Sequence, residues 1–389
     1  MKIALTTIGC KLNQAEIQNL KKELQAVGYL IVEKTQNHDL HIINACSITH
    51  GAEQITRQKI REIKRANPQA QIFVIGCYNQ KIPEVTKVFK TPIQIFEYIK
   101  KNHPIPNSNL KTSSFILQPS KTRALVKIQD GCNFNCTYCI ITKFRGKSKS
   151  ISPAIIFRQI EAREKQGCQE IVLVGVNILL YKFKKTDFVS LVKQILKETK
   201  IPRIRFSSLD PRLISADFLA LLKNPRVCPH LHLSLQSGSD KILKLMNRHY
   251  TIAQYYNITK QARRINPLTS FTTDIIVGFP NETDQDFQNT LKFIKKIDFL
   301  KIHIFPYSKR SGTRAAVLKT QIDDKIKKQR FQALNHLAQG QKNIFLQKMK
   351  GKVMPVLFEG KKFGYTPNYI PIPKKLSQNL KNKIIKVKI

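Results

Sequence analysis

Gly131-Cys132-Asn133-Phe134-Asn135-Cys136-Thr137-Tyr138-Cys139 follows directly on residues 124–129, a short apolar stretch that reads as a β-strand. Its three cysteines stand at C-x3-C-x2-C spacing. Thiolates are soft ligands that suit iron–sulfur clusters or zinc. Three of them hold three corners of a four-iron cluster and leave the fourth iron open to a small chelating ligand. Structural zinc asks for a fourth protein ligand. None is near, because the next cysteine downstream is Cys168 and the next histidine is His230. A zinc knuckle stays as the alternative.

Working outward from that stretch, six strand-like segments alternate with helical patterns: 124–129, 171–174, 203–207, 231–235, 272–277 and 301–305. The alternation predicts a partial (βα)6 barrel of TIM type, with its chemistry at the C-terminal ends of the strands. The cysteine stretch lies at the first such end. Upstream, 3–8, 41–44 and 72–75 read as strands. Between them, 13–27 carries Ile17, Leu20, Leu24 and Val27 at helical spacing, and 52–66 forms a basic helix that stops before Asn67-Pro68. That order predicts a doubly wound parallel sheet and an α/β fold class overall. Residues 101–122, rich in Asn, Pro, Ser and Lys, read as a linker. A closing helix is predicted over 331–350. Residues 351–389 change character into a short β module with nine lysines against one acid, Glu359. The expected division is 1–112, 118–348 and 351–389.

Cys10, Cys46 and Cys77 are remote in sequence, yet each falls just past one of the three upstream strands. The C-terminal ends of parallel strands share one edge of a sheet, so the three thiols are predicted to converge there. The alternative is three buried structural cysteines. Cys168 and Cys228 show no such pattern and read as ordinary core thiols. In a reducing compartment none of the eight is expected in a disulfide.

The chain has 389 residues, 42% of them hydrophobic, enough for a substantial core. Sixty-seven Lys and Arg stand against 25 Asp and Glu, a formal net charge of +42. Such a field favours a polyanionic partner, most simply nucleic acid. A Lys-rich composition with merely solvated side chains gives the same count. No apolar run approaches the length that spans a bilayer, and the first residues lack the apolar stretch of a signal peptide. No membrane partner and a cytoplasmic location are therefore expected.

These residues resemble the methylthiotransferase family of radical S-adenosylmethionine (SAM) enzymes. The resemblance is carried upstream by Gly9-Cys10-Lys11-Leu12-Asn13-Gln14-Ala15-Glu16, Asn44-Ala45-Cys46-Ser47-Ile48-Thr49 and Gly76-Cys77-Tyr78. In the barrel it is carried by Cys139-Ile140-Ile141 through Arg145-Gly146, by Glu170-Ile171-Val172-Leu173-Val174-Gly175-Val176-Asn177 and by Ser234-Leu235-Gln236-Ser237-Gly238. Asp274-Ile275-Ile276-Val277-Gly278-Phe279-Pro280 and Phe305-Pro306-Tyr307-Ser308 complete it. Gly9-Cys10-Lys11-Leu12-Asn13 with Gly364-Tyr365-Thr366-Pro367-Asn368-Tyr369 is similar to the MtaB-like branch. That branch converts threonylcarbamoyladenosine at position 37 of tRNA to its 2-methylthio form.

The resemblance implies two 4Fe-4S clusters, one on Cys132, Cys136 and Cys139 that cleaves SAM, the other on Cys10, Cys46 and Cys77 that carries the sulfur. Both would face one cavity, and no catalytic residue is implied beyond the cluster ligands. It implies SAM contacts from Tyr138, Gly175, Asn177, Ser207, Ser234, Gln236 and Phe305. It also implies tRNA as partner, an external electron donor, a sulfur donor, a monomeric chain and a TRAM-like RNA-binding module over 351–389. Arg145, Lys147 and Lys149 are expected to contact phosphate, with a solvated charge run as the alternative, while Asp274 and Glu282 are read as structural acids with an acid–base role as the alternative. Ala45 and the stretch Ile178-Leu179-Leu180-Tyr181-Lys182 depart from the family pattern. Rival readings stay open: a MiaB-like enzyme acting on isopentenyladenosine in tRNA, a RimO-like enzyme acting on an aspartate of a ribosomal protein, and a non-catalytic, metal-stabilised RNA-binding protein.

Overall fold

The computed structural model describes residues 1–78, 81–104, 122–360, 363–373 and 380–389. The predicted linker therefore lies, over 105–121, outside the described residues. The chain forms two compact units. One spans Met1–Gln118 with Ile140–Lys147, the other Pro119–Cys139 with Ser148–Ile389. Among the described residues no helix is long and apolar enough to cross a membrane, and none of the eight cysteines is in a disulfide.

The first unit is a parallel five-stranded sheet. Its strands are β1 (Lys2–Thr7), β2 (Leu30–Val32), β3 (Leu40–Cys46), β4 (Gln71–Cys77) and β5 (Lys87–Val88), in the order β2-β1-β3-β4-β5. Strand β3 lies at the centre and is buried from Leu40 to Ala45, as a strand covered on both faces must be. Alternate residues of β3 and β4 feed two cores. Ile42, Phe73 and Ile75 pack under α1 (Lys11–Ala26) and α3 (Pro92–Asn102), while Ile43, Ala45, Ile72 and Val74 pack with Ile60 and Ile63 of α2 (His50–Ala66). Thr49 caps α2 by accepting the Ala52 amide, and Thr91 with Pro92 opens α3.

The second unit carries the six barrel strands in the predicted order: β6 (Arg123–Lys127), β7 (Glu170–Val174), β8 (Arg203–Phe206), β9 (His230–Leu233), β10 (Ser270–Val277) and β11 (Phe299–Pro306). All neighbours pair in parallel, and Ser208–Leu209, just past β8, carries the pairing on to β9. The closing helix α4 (Asp324–Met349) starts earlier than predicted, where Asp323 accepts the Lys325 amide as an N-cap. The last residues form an antiparallel sheet from β12 (Val353–Phe358), β13 (Phe363–Tyr365), β14 (Pro371–Pro373) and β15 (Ile384–Lys388).

This module is fastened to the N-terminal ends of the barrel strands. Arg203 donates to the carbonyls of Tyr365 and Pro355, and Arg205 to that of Pro367. Arg123 pairs with Glu359 at 2.9 Å. Tyr369 stacks between His230 and Tyr365. The cysteine stretch, beyond the C-terminal end of β6, is at the other end of the barrel.

Candidate metal centres and cofactor site

In the first unit, Cys46 and Cys77 end adjacent strands and are direct register partners. Cys10 is the N-cap residue of α1 and makes no side-chain cap of its own. Gly9 brings the two segments together. With φ +125° it adopts a backbone that L side chains avoid, and a Cβ there would lie 2.8 Å from the Cys46 Cβ. The three sulfurs are close enough that the charges of Cys46 and Cys10 both act on Cys77. The sequence topology therefore brought these thiols together as expected. The N-terminus of a 16-residue helix beside Cys10 also favours negative charge.

Burial pushes the Cys77 thiol up to about 12, against the opposing pull of Arg145. A metal that binds such a thiol must displace its proton. The Arg145 guanidinium donates from Nε to Cys77 Sγ at 3.2 Å, and from Nη1 and Nη2 to Glu16 at 2.7 and 3.1 Å. Its side chain is only 7% exposed, so the phosphate contact expected of Arg145 is corrected: the group is committed inside the unit. Lys147 and Lys149 are exposed.

In the second unit, the stretch with Cys132, Cys136 and Cys139 is tied down on several sides. Thr137 bonds the carbonyls of Leu245 and Met246, and its own carbonyl accepts the Ala315 amide. Arg314 donates to Asn135 O at 2.6 Å. Gln129, which no motif singles out, is the hub. Its Nε2 donates to the carbonyls of Asp130 and Gly131 and to Ser148 Oγ, and its Oε1 accepts the Asn177 amide at 2.9 Å.

Two further arginines surround this centre. Arg212 and Arg248 place an Nη within 3.8 and 3.7 Å of Cys136 Sγ, and both pair with Asp210. Burial opposes ionisation of Asp210, but the two guanidiniums outweigh it and hold the carboxyl below its ordinary range. Arg212 also stacks 3.5 Å from the Phe134 ring centroid. Burial pushes the Cys132 thiol up, and the Phe134 amide on its sulfur works the other way.

The remaining expected site residues lie at or beyond the ends of the barrel strands. Tyr138 packs on Ile242, Met246, Phe279, Tyr307 and Ala315. Gly175 abuts Gln129. Asn177 is buried and reaches Asp210 at 3.5 Å through Nδ2. Ser234 donates to Asp274 at 3.2 Å, and Gln236 pairs its backbone with that of β10. Phe305 is 40% exposed. Asn177 Oδ1, Ser207 Oγ and Arg248 Nε are buried with no hydrogen-bond partner among the described residues. Orphaned polar atoms of this kind fit a place where a polar ligand completes the bonding. Glu282 is held by the Gly278 amide and Arg330, and Asp274 by His232 and Ser234. Among the described residues no three His, Cys, Asp or Glu side chains gather about a single metal ion. A four-iron cluster does not ask for that, because its thiolates bind different irons.

Residues 126–294 match the Radical SAM superfamily, and residues 2–96 match Uncharacterized protein family UPF0004. Threonylcarbamoyladenosine tRNA methylthiotransferase MtaB of Aquifex aeolicus (strain VF5) is 34% identical over 394 residues, covering 96% of this chain and 96% of that one. The chain belongs to the methylthiotransferase family of radical SAM enzymes. A tRNA-2-methylthio-N(6)-dimethylallyladenosine synthase of Endomicrobium trichonymphae is 32% identical over 382 residues, covering 94% of this chain and 90% of that one. Among solved structures, the radical S-adenosylmethionine methyltransferase TsrM from Kitasatospora setae, with cobalamin and a 4Fe-4S cluster bound, has a TM-score of 0.55 at 12% identity. It covers 81% of this chain and 77% of that one. That likeness is one of fold. As a radical SAM methylthiotransferase, the chain uses SAM and a 4Fe-4S cluster, and the half-buried thiols, flanking arginines and orphaned polar atoms of the second unit suit both.

Proposed function

We propose that this enzyme converts N6-threonylcarbamoyladenosine at position 37 of tRNA, beside the anticodon, to its 2-methylthio derivative. The observation that carries the reading is the meeting of Cys10, Cys46 and Cys77 at one sheet edge, in a chain whose barrel presents a second set of three thiols. The first set holds a second 4Fe-4S cluster, and Cys132, Cys136 and Cys139 hold the radical SAM cluster. Bound there, the SAM cluster supplies the electron for reductive cleavage of SAM.

The chain's own residues bind and orient. Tyr138 would pack by the adenine of SAM, and Gly175, Asn177, Ser207, Ser234, Gln236 and Phe305 would hold the rest of it. Arg212 and Arg248 offset the charge at Cys136. The working division is 1–112 for the sulfur-carrying domain, 118–348 for the radical SAM core and 351–389 for a TRAM-like module that grips RNA. The protein works in the cytoplasm as a monomer, with an external electron donor and an external sulfur donor.

Relatives of both substrate names match at similar identity, so isopentenyladenosine is the second reading. Mass spectrometry of tRNA nucleosides from a deletion strain separates the two. Loss of 2-methylthio-threonylcarbamoyladenosine is expected, and its persistence together with loss of the isopentenyl product overturns the choice. Iron analysis of the anaerobically purified chain is expected to give about eight iron per chain; bound zinc in place of iron, with no SAM cleavage, overturns the enzymatic reading.

A further inference from the structure

Arg145 is gripped more tightly than fastening a short helix requires. It ends the helix Ile141–Arg145. Its fork closes on both oxygens of Glu16, and Nη2 also donates to Asn13 Oδ1 at 2.9 Å. Glu16, itself 3% exposed, is held from its other side by Asn44 Nδ2 at 3.0 Å. Asn13 is fixed by the carbonyls of Ile8 and Ala45, which accept from its amide. The guanidinium therefore has one orientation, and in it the Nε–H points at the sulfur of Cys77.

The three thiols differ in what else reaches them. Cys10 is exposed and Cys46 half-buried, whereas Cys77 is buried. A thiolate that ligates a metal carries charge, and charge without water is costly unless it is paired and hydrogen-bonded. Water serves Cys10, and Arg145 serves Cys77. Hydrogen bonds to the ligating sulfurs, together with net charge and solvent exposure, set the reduction potential of an iron–sulfur cluster. An N–H donor draws charge off the sulfur, and a fixed cation nearby favours the electron-rich state.

We propose that Arg145 is a positioning residue for the N-terminal centre: clamped by Glu16 and Asn13, it orients the Cys77 thiolate and raises the reduction potential of the cluster on Cys10, Cys46 and Cys77. This rests on the second cluster proposed above. Sequence reading misses it because Glu16 and Arg145 lie 129 positions apart and Arg145 looks like one more basic residue in a basic loop.

The test uses the full chain with Cys132, Cys136 and Cys139 all replaced by Ala, so that only the N-terminal centre can load. After anaerobic reconstitution this parent should hold about four iron per chain. A redox titration followed by electron paramagnetic resonance then reads its midpoint potential. Arg145→Gln should keep the iron, lower the midpoint and change the signal of the reduced cluster. Glu16→Gln, which loosens the clamp but leaves the cation, should lower it less, and Arg145→Lys should recover part of the loss. A parent without iron overturns the second cluster itself. A parent that loads, with an unchanged midpoint in Arg145→Gln, overturns only the role of Arg145. Should Arg145→Gln fail to fold by circular dichroism, unchanged midpoints in Arg145→Lys and Glu16→Gln overturn it equally.

Discussion

Cys46 ends a parallel strand of the first unit and Cys136 lies past the first barrel strand of the second, each in a set of three thiols. Their substitution should therefore separate two activities. Cys136→Ala is expected to abolish SAM cleavage, read as 5′-deoxyadenosine by chromatography, and thiolation with it. Cys46→Ala is expected to leave cleavage and stop only the methylthio product. Equal loss of both activities from Cys46→Ala would refute the division of labour. Cys168 is buried and its sulfur bonds the carbonyls of Thr122 and Glu170, so Cys168→Ala should touch neither activity and cost about 1 kcal/mol of stability. The cysteines were legible in the sequence because spacing marks one set and strand ends mark the other. Their partners were not. Arg212, Arg248 and Asp210 around Cys136, and Glu16 with Arg145 around Cys77, are polar groups that only the fold brings together, and no periodicity announces them.

The sheet of the first unit carries within its strand β3 a buried histidine whose protonation opposes folding. His41 is fully buried there, with Nδ1 on His38 Nε2 at 2.9 Å and Nε2 on Thr6 Oγ1 at 2.8 Å. Burial, with the charges of His38, Lys59 and Lys34 adding to it, pushes its pKa down from 6.5 to about 3. The folded state thus resists a proton that the unfolded chain accepts. Stability is full above about pH 6.5 and is lost as pH falls toward about 3, by up to about 1.4 kcal/mol for each pH unit. Urea unfolding near pH 7 and near pH 5 reads that slope. His41→Gln should flatten it, even if the variant is less stable throughout; a slope that survives the substitution assigns the effect elsewhere. At this scale the sequence revealed the long elements and hid the short ones. β1, β3 and β4 stand out as apolar runs bounded by turns. The edge strands β2 and β5 have three and two residues, too few to show any alternation, and α3 was lost beside the polar run that follows it.

Across the second unit, one buried carboxylate organises the end of the barrel opposite the cysteines. Glu170 accepts both Nε and Nη2 of Arg205 at 2.7 and 2.9 Å, with Arg123 and Arg203 each 3.9 Å away. The same arginines hold the β module by its carbonyls and by Tyr365 and Tyr369. These contacts fasten the described part of the module to its unit. Lys386 and Lys388 alternate on β15, opposite Pro355 and Val353 of β12, and both are exposed together with Lys352. Composition alone left two readings of the +42 charge, an RNA-binding field or solvated lysines, and these differ in salt dependence. If the chain neutralises six to ten tRNA phosphates, its affinity should fall by roughly 10³-fold or more between about 50 and 200 mM salt. Replacing Lys352, Lys386 and Lys388 together by Ala should then make the log–log slope shallower by about 0.9 for each lost phosphate contact, with the melting temperature unchanged. Filter binding of unmodified tRNA across a salt series measures both. A shallow slope in the native chain would favour merely solvated lysines. A steep slope that the triple variant leaves untouched would put the phosphates on another face of the protein.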